Sequence, residues 1–200
     1  MLPDSLRDAL EDRLDVSIDS VAPVGGGCIA NACRVETDGS PFFLKYGDEE
    51  VARTFPGEAE GLRALAAADS PLAVPSVLET APPTTDRPGF LVLNWIHTGR
   101  KGRHFWEQFG EGLAALHRHA ADAYGFDHDN FIGQLPQKNE WTERWPAFFR
   151  AQRLEPQVEM ARERGRWRTD WDQPLEALYR RLPDLLPRHT TPSVLHGDLW

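Results

Sequence analysis

Residues 15–46 contain only two breaks in a run of β-forming sequence, and both are of the kind that turns one strand back on the next. Residues 15–24 (DVSIDSVAPV) alternate apolar and polar, the period of a half-buried strand. Gly25-Gly26-Gly27 ends that run, residues 29–37 resume it, Asp38-Gly39 supplies a hairpin turn, and residues 41–46 (PFFLKY) follow as a third strand. Three strands joined this closely form an antiparallel meander, here with a glycine-rich tip. Ahead of it, Ser5 with Asp8 resembles a capping box, and Leu6, Ala9, Leu10, Arg13 and Leu14 line one face of a helix expected to pack on the meander.

The pattern then changes twice. Residues 55–68 read as a helix with Leu62, Leu65 and Ala66 inward, and residues 74–79 and 90–93 as two more strands around a Pro/Thr-rich loop. That completes a five-stranded sheet. Residues 95–103 (WIHTGRKGR) are polar and broken by glycine, and beyond them the expectation is helical: 104–119, 141–164 and 171–186. The intervening 122–140 segment is long for a loop, and its Phe126, Phe131 and Ile132 argue that it is ordered. The division expected is 1–96, a nucleotide-binding lobe, and 97–200, a helical lobe.

Bulk properties remove several classes of function. With 31 acidic against 22 basic residues the net charge is −9, which argues against nucleic acid or an anionic membrane as partner. No apolar run reaches membrane-spanning length, and the acidic, amphipathic start is unlike a signal peptide. Cys28 and Cys33 form neither a disulfide framework nor a zinc site. A reducing cytoplasm is the expected setting.

Four weak signals occur in an informative order. The GGGC tip would let backbone N–H groups approach phosphates, although no Gly-Lys-Ser/Thr follows it and the next element is a strand, which excludes a Walker loop and a dinucleotide fingerprint. Lys45 lies in the third strand, where a kinase carries its phosphate-binding lysine. Glu58 and Glu60 open the next helix on different faces, so only one of them can reach Lys45. Residues 193–195 read as a short strand running into His196-Gly197-Asp198, like the catalytic-loop motif of kinases with Gly in place of Arg. Taken singly, a glycine-rich hairpin, an exposed strand lysine and surface glutamates are sufficient explanations. Together, and in this order, they describe the two-lobed kinase plan.

VGGGCIANACRV, FFLKY, FPGEAEGLRAL, GFDHDNFIGQLPQKNEW, RWPAFFRAQRLEPQ and PSVLHGDLW make the chain similar to the fructosamine kinase (ketosamine kinase) family over nearly its whole length. The resemblance implies an α+β, protein-kinase-like fold: a five-stranded antiparallel N-lobe and a mostly helical, incomplete C-lobe. It implies phosphorylation of the 3-hydroxyl of ketosamines by ATP with Mg2+, the acceptors being glycated protein lysines or small ketosamines. Asp198, with His196 beside it, is then the proton acceptor, and Lys45 with Glu58 the phosphate-anchoring pair. Gly25, Gly26 and Gly27 cover the phosphates, and Asn94, Trp95 and Ile96 form the hinge at adenine. Gln137, Asn139 and Trp141 are the substrate candidates. Cys28 is a redox candidate, consistent with a monomer or a thiol-dependent dimer. Asn94 stands where the family usually carries an acid. The family's magnesium ligands follow the HGDLW motif and are not among these 200 residues, so no metal ligand is assigned. Two alternatives remain: an aminoglycoside- or choline-type kinase of the same plan, and a catalytically incompetent fragment or pseudokinase that only binds nucleotide.

Overall fold

The alternating pattern becomes three strands in the computed structural model, which describes residues 2–25, 30–187 and 190–197. β1 (Ile18–Pro23), β2 (Asn31–Thr37) and β3 (Phe42–Gly47) pair antiparallel in succession. β1 starts later than the alternation suggests because Asp15 and Val16 close the preceding helix. Asp15 takes the left-handed conformation at φ 52°, and the Val16 N–H bonds the Glu11 carbonyl. The β2–β3 turn is held by its own side chains. Thr37 Oγ1 accepts from the Gly39 N–H and donates to the Ser40 carbonyl, both at 3.1 Å, while Asp38 accepts from the Ser17 N–H at 3.0 Å.

Two helices precede the remaining strands. α2 (Glu49–Ala52), unanticipated in the sequence, is capped by Asp48 accepting from the Val51 N–H. α3 (Phe55–Ala67) follows, then β4 (Val77–Ala81) and β5 (Gly89–Asn94). β5 pairs with β3 and leaves β4 at the edge, giving the order β1-β2-β3-β5-β4 with every pairing antiparallel.

Helices cover both faces of this sheet. α1 (Asp4–Leu14) buries Leu6 and Leu10 against Cys33, Val35, Phe42, Leu44, Phe90 and Val92. Each of those two leucines is fully buried and contributes about 1.5–3 kcal/mol. α2 and α3 bury Ala52, Phe55 and Ala59 against Leu91 and Leu93 on the other face. Hence β5 is apolar at successive positions, as a strand covered on both sides must be. The capping box does not form. The helix starts at Asp4 behind Pro3, which places Ser5 inside the first turn, where its hydroxyl donates to the Asp86 carbonyl at 2.7 Å. On α3 the inward stripe is Phe55, Ala59 and Leu62, while Ala66 is exposed.

Where β5 passes α2 there is no room for a side chain. A Cβ on Gly89 would lie 2.4 Å from the Ala52 Cβ and 3.0 Å from Pro83. Gly89→Ala is therefore expected to destabilise the fold by about 1–3 kcal/mol, read as a lower urea midpoint at unchanged m-value.

The chain forms two compact units, one within Met1–Arg118 and Leu195–Trp200, the other His119–Val194. α4 (Phe105–His117) belongs to the first, where Ser70 Oγ donates to the Gly112 carbonyl at 2.8 Å. In the second, the long segment expected to be irregular contains a hairpin, β6 (Asn130–Ile132) with β7 (Leu135–Gln137). The helix expected from residue 141 begins four residues later. It is α5 (Trp145–Phe148), a π-helical stretch (Phe149–Leu154) and α6 (Glu155–Glu163) in continuous succession. Thr142 is instead paired with Tyr124 by two backbone hydrogen bonds, which keeps it out of the helix. α7 (Asp172–Leu185) buries Tyr179 and Leu182. The strand expected at 193–195 is an isolated bridge, Ala120 with Ser193. Among the described residues no helix is long and apolar enough to cross a membrane.

Candidate active site

The two faces of β3 separate structure from chemistry. Phe42 and Leu44 point into the α1 core, and Phe43 and Lys45 point toward α3. On α3, Glu58 immediately precedes the fully buried Ala59, at the flank of the inward stripe. Lys45 Nζ lies 2.9 Å from Glu58 Oε1 and 2.6 Å from Oε2, with side-chain exposures of 26% and 33%. An ammonium carries three donors, so this pair leaves one uncommitted among the described residues. Glu60 points elsewhere and pairs with Arg63. The alternation of β3 and the period of α3 together select Glu58 over Glu60.

At the glycine-rich tip, the Val24 N–H bonds the Ala32 carbonyl at 2.9 Å, closing the base of the loop one step beyond the Pro23–Cys33 pair. Gly25 has open space where a side chain would stand. Gly26, Gly27 and Cys28 lie outside the described residues. Cys33 is buried under α1, and burial pushes its thiol pKa up, as for an inert core cysteine.

The segment after β5 is fixed at Asn94, whose N–H bonds the Ser76 carbonyl at 3.0 Å and whose Oδ1 accepts from the Ser76 N–H. An aspartate at this position would accept the same bond. Trp95 packs near the cross-strand pair Arg34 and Phe43, with the Arg34 guanidinium 4.8 Å over its ring and the Phe43 ring centroid at 6.4 Å. Arg34 carried no signal in the sequence, because only β2–β3 pairing reveals its neighbours. Trp95 and Ile96 follow directly on β5, just beyond its last ladder pair with β3, Phe42–Asn94.

The expected substrate residues divide. Asn139 is 3% exposed, with its amide bonded to the loop around it. Gln137 Nε2 donates to Asn130 Oδ1 at 3.0 Å. Trp141 is 46% exposed. It lies against Gly125, where an added Cβ would be 2.8 Å from the indole and from the Asn139 carbonyl; only glycine permits this approach. His196 is exposed. Asp198 lies outside the described residues.

The model of the fructosamine kinase family matches residues 5–200. The chain belongs to that family. It is 34% identical over 181 residues to the “Probable ketoamine kinase” of Enterococcus faecium, a match covering 90% of this chain and 62% of the relative. It is also 34% identical over 185 residues to the rice (Oryza sativa subsp. japonica) “Protein-ribulosamine 3-kinase, chloroplastic”, covering 92% and 53%. The fold matches a crystal structure from Thermobifida fusca, named “putative fructosamine-3-kinase”, at a TM-score of 0.80 and 29% identity, over 98% of this chain and 67% of that one. The chain spans about three fifths of the length of the first curated relatives it matches. The kinase-like fold expected from the sequence is thus the observed one, a five-stranded antiparallel sheet with helices.

Proposed function

We propose that this chain is the nucleotide-handling and acceptor-positioning part of a kinase that transfers the γ-phosphate of ATP to the 3-hydroxyl of ketosamines, either free or on protein lysines. The observation that carries the reading is the Lys45–Glu58 ion pair between β3 and α3 in a member of the fructosamine kinase family. Two carboxylate contacts hold the ammonium on the α3 face of the sheet, ready to neutralise charge on the α- and β-phosphates. The position of Trp95 and Ile96 just beyond β5 suits the edge of adenine, and the Gly25–Gly27 tip suits the phosphates. Asp198 takes the proton of the acceptor hydroxyl as that oxygen attacks phosphorus.

Magnesium supplies charge neutralisation on the phosphates in this chemistry. Among the described residues no group of three or more His, Cys, Asp and Glu side chains is assembled to hold a metal ion. Residues 1–96 form the nucleotide lobe of the reading and residues 97–200 begin the acceptor lobe. Phosphate at the 3-position activates the sugar for elimination from the amine, which makes the reaction a deglycation step.

The test is phosphate transfer from ATP by the complete protein to fructosyl-lysine, an aminoglycoside and choline in parallel. Turnover confined to the ketosamine is expected. Preference for either other acceptor sinks the substrate assignment, and nucleotide binding with no transfer to any of them sinks the enzymatic one.

A further inference from the structure

The segment before α5 is held by one buried amide and one guanidinium, and its geometry indicates what they hold in place. Asn139 uses both Nδ2 hydrogens, donating to the His128 carbonyl at 2.9 Å and to Asn130 Oδ1 at 3.0 Å. Its backbone N–H goes to Asp129 Oδ1 at 2.9 Å, and its Oδ1 accepts from Arg153 at 2.7 Å. Such an amide has little left to offer a ligand. It fastens the hairpin β6–β7 to the chain that follows.

Arg153 completes the fastening. Beside Asn139 Oδ1 it donates to the Lys138 carbonyl at 2.6 Å and the Gln152 carbonyl at 2.9 Å, and its guanidinium stacks 4.6 Å over Phe148. Burial pushes its pKa down. Among the described residues it makes no ion pair, so its charge is spent on neutral oxygens. It sits in the π-helical stretch Phe149–Leu154, beside Gln152, whose buried Oε1 has no hydrogen-bond partner among the described residues. A π turn interrupts helix regularity and is found disproportionately at functional sites. Here it falls on the residue that reaches back to positions 138 and 139.

Those two positions lie between Gln137 and Trp141. We propose that Arg153, through Lys138 and Asn139, is a positioning residue that sets the acceptor-binding geometry of Gln137 and Trp141 without touching the acceptor itself. This rests on the ketosamine reading above and on the acceptor role that the family resemblance implies for Gln137 and Trp141. Three bonds from two nitrogens need a planar guanidinium; an ammonium on a lysine stem cannot reproduce them.

The experiment uses the complete protein, with initial rates measured against ketosamine and against ATP. Arg153→Met is expected to raise the KM for ketosamine roughly ten- to hundredfold while leaving the KM for ATP within about twofold, and Arg153→Lys to recover only part of that loss. Asn139→Asp is the second variant, kept in case Arg153→Met does not fold. It retains an acceptor for Arg153 but loses the two Nδ2 bonds, and the same selective rise is expected. An unchanged ketosamine KM in the folded variants overturns the proposal, and so do equal changes in both KM values, which would mark a general structural role. A wild-type protein that does not phosphorylate ketosamines overturns the underlying reading and this proposal with it, and that outcome is visible before any variant is made.

Discussion

Lys45→Met in the complete protein is expected to lower kcat/KM for ATP by roughly 10²- to 10³-fold, the scale seen when one preorganised donor to developing phosphate or oxyanion charge is removed. Methionine keeps the unbranched apolar stem of lysine, so the chief loss is the ammonium. Glu58 is then left without its partner but a third exposed, and it stays solvated. The stability cost should stay below about 1 kcal/mol. Urea denaturation should therefore place the variant beside the parent while nucleotide kinetics separate them. Glu58→Gln is the informative companion. It keeps an acceptor for Lys45 but removes the negative charge that orients the ammonium, so a smaller loss, roughly tenfold, is expected. Parent-like rates with Lys45→Met would reduce the pair to a surface ion pair and remove the observation on which the functional reading stands.

The legibility of this site varied with how local its determinants are. Lys45 and the opening of α3 could be brought together from sequence because strand alternation fixes a face of β3, but pattern left Glu58 and Glu60 both open; the choice of Glu58 came from the family resemblance, and the structure pairs Lys45 with it. Asp38-Gly39 was equally readable, since its turn is closed by side chains within three residues and by Ser17 across β1. The boundaries of α1 and α5 were less so. Ser5 looks like a cap, yet Pro3 starts the helix earlier; Trp141 looks like a helix start, yet Tyr124 holds Thr142 in a β-bridge. The first was within reach of the local sequence, since Pro3 is two residues from Ser5; the second depends on a partner that no local window contains.

The same distinction explains Asn139, Arg153 and Arg34. Asn139 was noticed as part of a distinctive segment and assigned to substrate. Its five hydrogen bonds link it to residues 9 to 14 positions away, a non-local enclosure that composition cannot display. Arg153 offered no signal, since an arginine on a helix ordinarily faces water and the π turn that redirects it has no sequence signature. Arg34 became visible only when the ladder set it beside Phe43, near Trp95. Backbone pattern was readable; polar side chains recruited over distance were not.

Asp198→Asn tests the other half of the chemistry, and its expected outcome is complementary to that of Lys45→Met. Asparagine matches aspartate in shape and accepts a hydrogen bond, but its amide cannot accept a proton at neutral pH. If Asp198 removes the proton from the acceptor hydroxyl, kcat should fall by roughly 10²- to 10⁴-fold, the range for a lost general base. ATP binding by calorimetry should stay within about twofold of the parent, because the base contacts the acceptor and not the nucleotide. Lys45→Met should do the reverse at the binding step, weakening ATP whether or not an acceptor is present. The two variants thus separate phosphate anchoring from proton removal, which a single loss of activity cannot do. Combining them should cost less than the sum of the two losses, since a nucleotide held out of line gains little from a competent base. An Asp198→Asn protein with parental kcat would remove the base from Asp198 while leaving the Lys45–Glu58 assignment standing.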